Sequence, residues 1–183
     1  MKNLISLAVA TTMFAACSAP PCPPVEEHHV HPLSSIPQSA DANIAVVKDY
    51  LNALIAADAD AIRAACAPGF YANNTFLPSD SSDVEEVIAN WQKNDSTRSD
   101  QKLKTIFAEC VTVAEGDEYA GDWVHYWAEY SATDNATGKP YTVPFFYDAR
   151  VEDGKLTKSY TYFDRLSVFH QLGIDPPPAP EKE

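Results

Sequence analysis

The chain is poor in basic residues and has no apolar run long enough to cross a membrane. Its 13 lysine and arginine residues stand against 26 acidic residues, for a formal net charge of -13. That charge repels phosphate backbones and argues against nucleic acid as a partner. A spanning helix needs about 20 apolar residues. No internal repeat is present. No closed zinc-binding pattern is present either, and we expect no metal and no organic cofactor.

Apolar residues nevertheless make up 45% of the 183 residues, and aromatic residues make up 11%. That content is enough to bury a core rather than leave the chain unfolded. A single core typically takes about 100 to 150 residues. We therefore expect one domain, at residues 41–174.

The N-terminus has the pattern of an export signal. After an early lysine, residues 4–16 are mostly apolar, and residues 14–17 read FAAC. This ending resembles the lipobox of bacterial lipoproteins, with phenylalanine where leucine is commoner. The alternatives are an ordinary secretory cleavage and an apolar leader that is not cut. The resemblance implies a signal peptide over residues 1–16 and a membrane anchor through lipid on Cys17, in the bacterial cell envelope. Ser18 favours the outer membrane, by analogy with lipoprotein sorting in enteric bacteria.

Proline-rich segments flank the predicted domain. Residues 17–40 are expected to form an extended tether, and residues 175–183 a solvated tail. An odd number of cysteines remains after lipidation, so they cannot all pair within the chain. Cys66 and Cys110 either form a disulfide or lie buried as thiols.

Helical periodicity followed by strand alternation divides the domain. Asp41 is the expected N-cap of a first helix, and a second, short helix is expected to reach Cys66. Ser82 and Glu85 form a predicted capping box at the start of a third helix. Strands are then predicted near residues 102–114, 118–131, 140–151 and 155–164. Three helices before an antiparallel meander indicate an α+β fold.

Two stretches resemble a known family. Residues 50–63 read YLNALIAADADAIR, and the closing part of the domain contains VEDGKL, YFDRL and QLG between residues 151 and 173. They resemble SnoaL-like members of the NTF2-like superfamily, over residues 43–173 in element order. The resemblance implies a cone in which a curved antiparallel sheet wraps around three N-terminal helices, with an apolar pocket open at one end. The family includes polyketide cyclases, ketosteroid isomerases, dehydratases and epoxide hydrolases, but also non-catalytic binding and assembly modules, so fold alone does not decide function.

Alternation on the second predicted strand places Trp123, His125 and Trp127 on one face, with Val124 and Tyr126 on the other. A histidine between two tryptophans suits proton transfer beside a flat apolar ligand. The alternative is a histidine with a structural role.

Two carboxylates are further candidates. Asp148 shares a face with Phe146 and Arg150; burial would raise its pKa as an acid–base role requires, whereas a surface ion pair with Arg150 would be worth little. Asp164 follows Tyr160 and Tyr162 at alternate positions of the last predicted strand. In catalytic relatives an aspartate moves a proton while tyrosine or histidine steadies the oxyanion; the same stretch also occurs in relatives of no known activity.

Three hypotheses follow. The first is an envelope binding module for a small apolar or amphipathic molecule, with walls formed by Trp123, Trp127, Phe146, Tyr160 and Tyr162. The second is a cofactor-independent isomerase, cyclase or dehydratase. Its catalytic candidates are His125, Asp148, Tyr162 and Asp164. The third is a structural module that forms a homodimer through the outer face of its sheet. An exposed apolar sheet face would support this hypothesis.

Overall fold

The computed structural model of the chain describes residues 34–73, 81–116 and 118–175. The predicted signal peptide, the lipidation site Cys17, most of the tether and nearly all of the tail lie outside the described residues. Within the described ranges, no helix is long and apolar enough to cross a membrane.

Helix α1 (Ala40–Ile55) and helix α2 (Ala59–Ala65) lie where the sequence predicts helices. Ser39, and not Asp41, is the N-cap of α1; Asp41 lies in its first turn, where a carboxylate still complements the helix dipole. Asp58 caps α2 by accepting a hydrogen bond from the Ala61 backbone N–H. The helix ends at the residue before Cys66, which already has extended backbone.

Helix α3 (Val84–Thr97) begins one residue later than predicted. Its capping box is formed by Asp83 and Glu86, and not by Ser82 and Glu85. Both pairs have the required spacing, but Ser82 is already paired in a short strand, and aspartate is an equally good N-cap.

A seven-stranded sheet is formed by the described residues, in the order β1-β4-β5-β6-β7-β2-β3. The long strands are the four predicted ones: β4 (Arg98–Val113), β5 (Gly121–Asp134), β6 (Pro140–Glu152) and β7 (Lys155–Phe163). Three shorter strands were not predicted: β1 (Ser34–Ser35), β2 (Cys66–Asn73) and β3 (Ser81–Ser82). Since β1 pairs with β4, the sheet begins before the predicted domain boundary at residue 41.

Strand β2 pairs with β7 in parallel, so the sheet is mixed and not wholly antiparallel as expected. The sequence conceals this strand because Pro68 and Gly69 read as a turn; Gly69 has a φ of +80°, and the register shifts between Cys66 and Tyr71. Cys66 and Cys110 are both buried free thiols, not a disulfide. Burial raises the pKa of Cys66 to about 12.

A fourth helix, α4 (Arg165–Leu172), follows the last strand and was not predicted. Asp164 is its N-cap, accepting a hydrogen bond of 3.0 Å from the Ser167 backbone N–H. Gly173 ends the helix in the left-handed conformation, at φ 69°.

The helices cover one face of the sheet, here called the inner face. Its residues Val124, Tyr126 and Ala128 are 0% exposed and pack in one core with Val47 and Tyr50 of α1. The other face, here called the outer face, carries the alternate residues of β4–β7. The curved sheet thus has a covered side and an open side, and every strand residue belongs to one or the other.

Candidate functional site

Strand register gathers the predicted site residues on the outer face. Residues opposite one another on neighbouring strands have Cβ atoms about 4.5 to 5.5 Å apart, so a cross-strand row forms a continuous patch. One row consists of Phe107, Trp127, Phe146 and Tyr162. The next consists of Glu109, His125, Asp148 and Tyr160. Trp123 lies on the same face, opposite Arg150.

The first row is aromatic and open to solvent. Ring centroids are 5.3 Å apart for Phe107 and Trp127, 4.8 Å for Trp127 and Phe146, and 6.3 Å for Phe146 and Tyr162. Phe107 is 52% exposed and Tyr162 is 55% exposed. These rings therefore form an apolar surface and not the wall of an enclosed pocket.

The second row places a histidine between two carboxylates. His125 Nδ1 lies 3.3 Å from Glu109 Oε1, and His125 Nε2 lies 3.6 Å from Asp148 Oδ1, which is too long for a hydrogen bond. Burial raises the pKa of Asp148, and the neighbouring His125, when charged, opposes that rise. The row can exchange a proton, but it is not arranged as a metal site; among the described residues no group of histidine, cysteine and carboxylate ligands is.

A shallow concavity of about 290 Å³ lies over this row. It is lined by Val113, Tyr119, Trp123, His125, Asp148, Tyr160 and Tyr162. Trp123 is held there by its indole N–H, which donates to the Tyr119 carbonyl at 2.6 Å. Trp127 and Phe146 line neither this concavity nor the larger cavity described next.

Asp164 is separated from the other candidates. Its carboxylate is exposed and caps α4, so it does not meet Tyr162 at a pocket. The chain turns from strand to helix at this residue, and the alternation expected through position 164 ends at Phe163.

The larger cavity lies between the inner face and the helices. Its volume is about 640 Å³, within the range of roughly 300 to 1,000 Å³ that is usual for small-molecule sites. Apolar and aromatic side chains from α1, α3, α4 and the inner face form most of its walls. They include Leu51, Leu54, Val87, Trp91, Leu103, Val143, Phe145, Val168, Phe169 and Leu172.

Three hydroxyls lie at the buried end of this cavity. Tyr50, Tyr147 and Ser159 line it and are 1%, 3% and 1% exposed. The Tyr147 hydroxyl lies close to those of Ser159 and Tyr50, but the Tyr147 and Ser159 hydroxyls form no hydrogen bond of good geometry among the described residues. Burial raises the pKa of Tyr147 and of Tyr50, which keeps both phenols protonated. The cavity thus has an apolar body and a polar floor able to donate or accept hydrogen bonds.

The sequence interpretation did not single out these floor residues. The residues that the sequence singles out on the outer face line the shallow concavity there, whereas the inner cavity is lined by the other alternate set. A signal was available: the alternate set containing His125 also contains Glu109, Glu129 and Asp148, whereas the set containing Tyr126 is charged only near the ends of β5, at Asp122 and Asp134. A charged set indicates the solvent side of a half-covered sheet.

Solved structures of other proteins share this architecture, among them those of three bacterial proteins. IdmH, a putative polyketide cyclase from Streptomyces antibioticus, has a TM-score of 0.59 at 18% identity, covering 72% of this chain and 99% of that chain. An LEH-like epoxide hydrolase from M. tuberculosis has a TM-score of 0.55 at 18% identity, covering 73% of this chain and 91% of that chain. An NTF2-like protein from Burkholderia thailandensis has a TM-score of 0.56 at 19% identity, covering 71% and 96%.

No family model matches the chain, and no curated protein matches it. At identities this low the structural likeness shows the fold alone. The α+β class and the NTF2-like cone predicted from the sequence are confirmed, with a mixed sheet and a fourth helix added.

Proposed function

We propose that the chain is a binding module whose inner cavity shelters a small amphipathic molecule. The observation that carries this proposal is the pair of buried hydroxyls of Tyr147 and Ser159, which lack a well-formed hydrogen bond at the floor of a cavity with mostly apolar walls. A buried polar group without a partner costs about 1 to 3 kcal/mol. A ligand that brings a carbonyl or hydroxyl to the floor removes that cost while its apolar body fills the cone.

The lining of the inner cavity favours binding over proton-transfer catalysis. Among the described residues that line it there is no histidine, and Asp134 is the one carboxylate. The groups suited to moving protons, His125 and Asp148, lie on the other face, under a concavity with exposed walls. An isomerase, cyclase or dehydratase would need its substrate to react there, with little exclusion of water.

The test compares two identical substitutions on the inner face. Tyr147→Phe removes a hydroxyl that forms no hydrogen bond of good geometry, whereas Tyr126→Phe removes one that is hydrogen-bonded to Thr105. Nile red, a neutral apolar dye with a carbonyl group, is titrated into the full-length chain and its fluorescence is followed. We expect Tyr147→Phe to weaken dye binding about threefold to tenfold while raising the melting temperature. We expect Tyr126→Phe to lower the melting temperature and to leave dye binding unchanged.

Failure of the wild-type chain to bind Nile red would count against the proposal, as would equal weakening by both substitutions. The variant Phe107→Ser controls for dye that binds at the outer aromatic row, because Phe107 does not line the inner cavity. If Phe107→Ser abolished dye binding, the binding site would be on the outer face.

A second candidate function is association of two copies of the chain through the outer face. The exposed aromatic row favours it, because contiguous apolar surface of this kind commonly marks an interface. Sedimentation velocity of the wild type and of Phe107→Ser tests this candidate; a dimer that dissociates in the variant supports it. The control Leu166→Ser removes a comparably exposed apolar side chain from α4. A wild type that is monomeric at high micromolar concentration would exclude it.

The envelope location is also a proposal, supported by the lipobox-like residues 14–17. A lipid on Cys17 would tether the binding module to the bacterial membrane. The substitution Cys17→Ser should move the chain from the membrane fraction to the soluble fraction. A wild type that is already soluble would contradict the anchor without bearing on the cavity.

A further inference from the structure

The charged residues that line the inner cavity are mostly basic, although the chain as a whole is acidic. The cavity is lined by Lys93, Arg98 and Arg165 against the single carboxylate of Asp134, whereas the chain as a whole has 13 basic and 26 acidic residues. Lys93 and Arg165 are exposed and Arg98 is partly exposed, in contrast to the buried floor residues. The basic groups therefore lie at the solvent end of the cavity, here called the mouth.

The guanidinium of Arg98 lies along the cavity wall with few partners. Its Nη1 donates a long hydrogen bond of 3.5 Å to the Tyr130 hydroxyl, and its central carbon lies 5.9 Å from the Tyr130 ring centroid. The Tyr130 hydroxyl in turn donates to Gln101 Oε1 at 2.6 Å, which fixes the ring that Arg98 packs on. A guanidinium has five N–H donors, so most of those of Arg98 remain available to a ligand.

Neither Arg98 nor Lys93 forms an ion pair with any residue that the structure describes. Basic residues elsewhere do so: Arg63 pairs with Glu85, Lys104 with Glu129, and Arg150 with Glu152. Lys93 and Arg98 thus form no close ion pair, and Asp134, which lies across the sheet from Arg98, is the one carboxylate among the described residues that lines the cavity with them. An excess of basic groups at one cavity of an acidic chain creates a local attraction for anions against the overall field of the chain.

The one carboxylate at the cavity is engaged elsewhere. Asp134 Oδ1 accepts hydrogen bonds from Thr137 Oγ1 at 2.7 Å and from the Thr137 backbone N–H at 2.8 Å. These bonds are the main reason that the pKa of Asp134 is lowered, and Arg98 contributes least. Asp134 thus stabilises the turn between β5 and β6, and its charge offsets only one of the three basic groups at the mouth.

We infer that the ligand of the inner cavity is an amphiphile with one anionic group, which binds Arg98 and Lys93 at the mouth while the apolar body lies in the cone. This inference rests on the proposed function. An anion is costly to bury, so it stays at the partly exposed mouth, where charge-assisted hydrogen bonds to a guanidinium are strong. A carboxylate and a phosphate share the required chemistry, and the experiment distinguishes them.

The test uses matched twelve-carbon probes that displace Nile red from the full-length chain: dodecanoate, dodecyl phosphate and dodecanol. We expect an anionic probe to displace the dye at concentrations at least tenfold lower than dodecanol does. Arg98→Gln should remove this preference without changing the dodecanol result. Lys102→Gln, which makes the same charge change at an exposed position of β4 away from the cavity, should leave the preference intact.

The outcomes separate the two proposals. If Nile red does not bind the wild-type chain, the proposed binding function fails; if it binds but no probe displaces it, or all three displace it equally, only the anionic specificity fails. Loss of the preference in Lys102→Gln as well as in Arg98→Gln would reduce the effect to overall charge and overturn the inference. Should Arg98→Gln fail to fold by circular dichroism, Arg98→Lys decides: it keeps a cation at the mouth and must keep a preference for the anionic probes.

Discussion

The inner and outer faces of strands β5–β7 differ in chemistry and in exposure, although they alternate residue by residue. The outer face carries His125 and Asp148, whose side chains are 29% and 23% exposed. The inner face carries Tyr126 and Tyr147, which are 0% and 3% exposed. Groups that look reactive in the sequence thus lie on the open side, whereas the walls of the larger cavity are mostly aromatic and aliphatic. Reactivity of residue type is therefore a poor guide to which face of a covered sheet forms a binding cavity.

The largest expected effect contrasts one truncation on each face. Tyr126→Ala should lower the free energy of unfolding by about 3 to 5 kcal/mol, because it empties a closely packed site under α1. Phe107→Ala should cost less than about 1 kcal/mol, because the ring is already half in water. Urea denaturation followed by circular dichroism measures both.

A cost for Phe107→Ala as large as that for Tyr126→Ala would break the comparison. It would mean that the outer face is covered in solution. Repeating the measurement over a range of protein concentrations identifies the cover, since a cost that grows with concentration indicates a second copy of the chain.

A smaller effect on stability is expected at the N-terminus of α4, where the last strand ends and the helix begins. Asp164→Ala removes the N-cap of α4 and should cost about 1 kcal/mol. Asp164→Asn keeps a capping oxygen and should cost only a few tenths of that. Thermal denaturation compares both with Asp83→Ala, which removes the cap of α3. If Asp164→Asn were as damaging to dye binding as Asp164→Ala, the carboxylate would have a role beyond capping.

Much of the fold follows from local pattern. Periodicity places α1, α2 and α3, and alternation with turn residues places β4–β7, because each of these elements is long enough to repeat its pattern. The two-residue strands β1 and β3 have no pattern to repeat. The sequence pattern does not reveal strand β2, because Pro68 and Gly69 read as a turn. It does not reveal α4, because Asp164 fits either the end of a strand or the N-cap of a helix.

The candidate site was less predictable because it depends on which alternate set faces the helices. Alternation correctly groups Trp123, His125 and Trp127, and register adds Phe146 and Asp148 as cross-strand neighbours. Alternation with a period of two does not indicate which of the two sets faces the helices. The floor of Tyr147 and Ser159 arises only when β6 and β7 pack under α1, and no local pattern reports it.

The smallest expected effect concerns the pH dependence of the outer face. Burial raises the pKa of Asp148 in the folded chain above its unfolded value of about 3.9. A carboxyl with a raised folded pKa contributes stability below its unfolded pKa, and this contribution is lost as the pH rises through the folded pKa. The asparagine of Asp148→Asn does not titrate. The free energy of unfolding of this variant should therefore increase relative to that of the wild type as the pH rises from about 4. The difference should level off once Asp148 of the wild type is fully ionised.

Urea denaturation at a series of pH values measures this difference, with Glu129→Gln as the control. Glu129 is an outer-face carboxylate on the same strand as His125, but it is partly exposed and pairs with Lys104 at 2.8 Å, so its substitution should not reproduce the trend. A wild type that instead gains on Asp148→Asn with rising pH would show that attraction to protonated His125 outweighs burial. The row of Glu109, His125 and Asp148 would then be a stabilising ion-pair network, and the outer face would differ from the inner face in exposure but not in its contribution to stability.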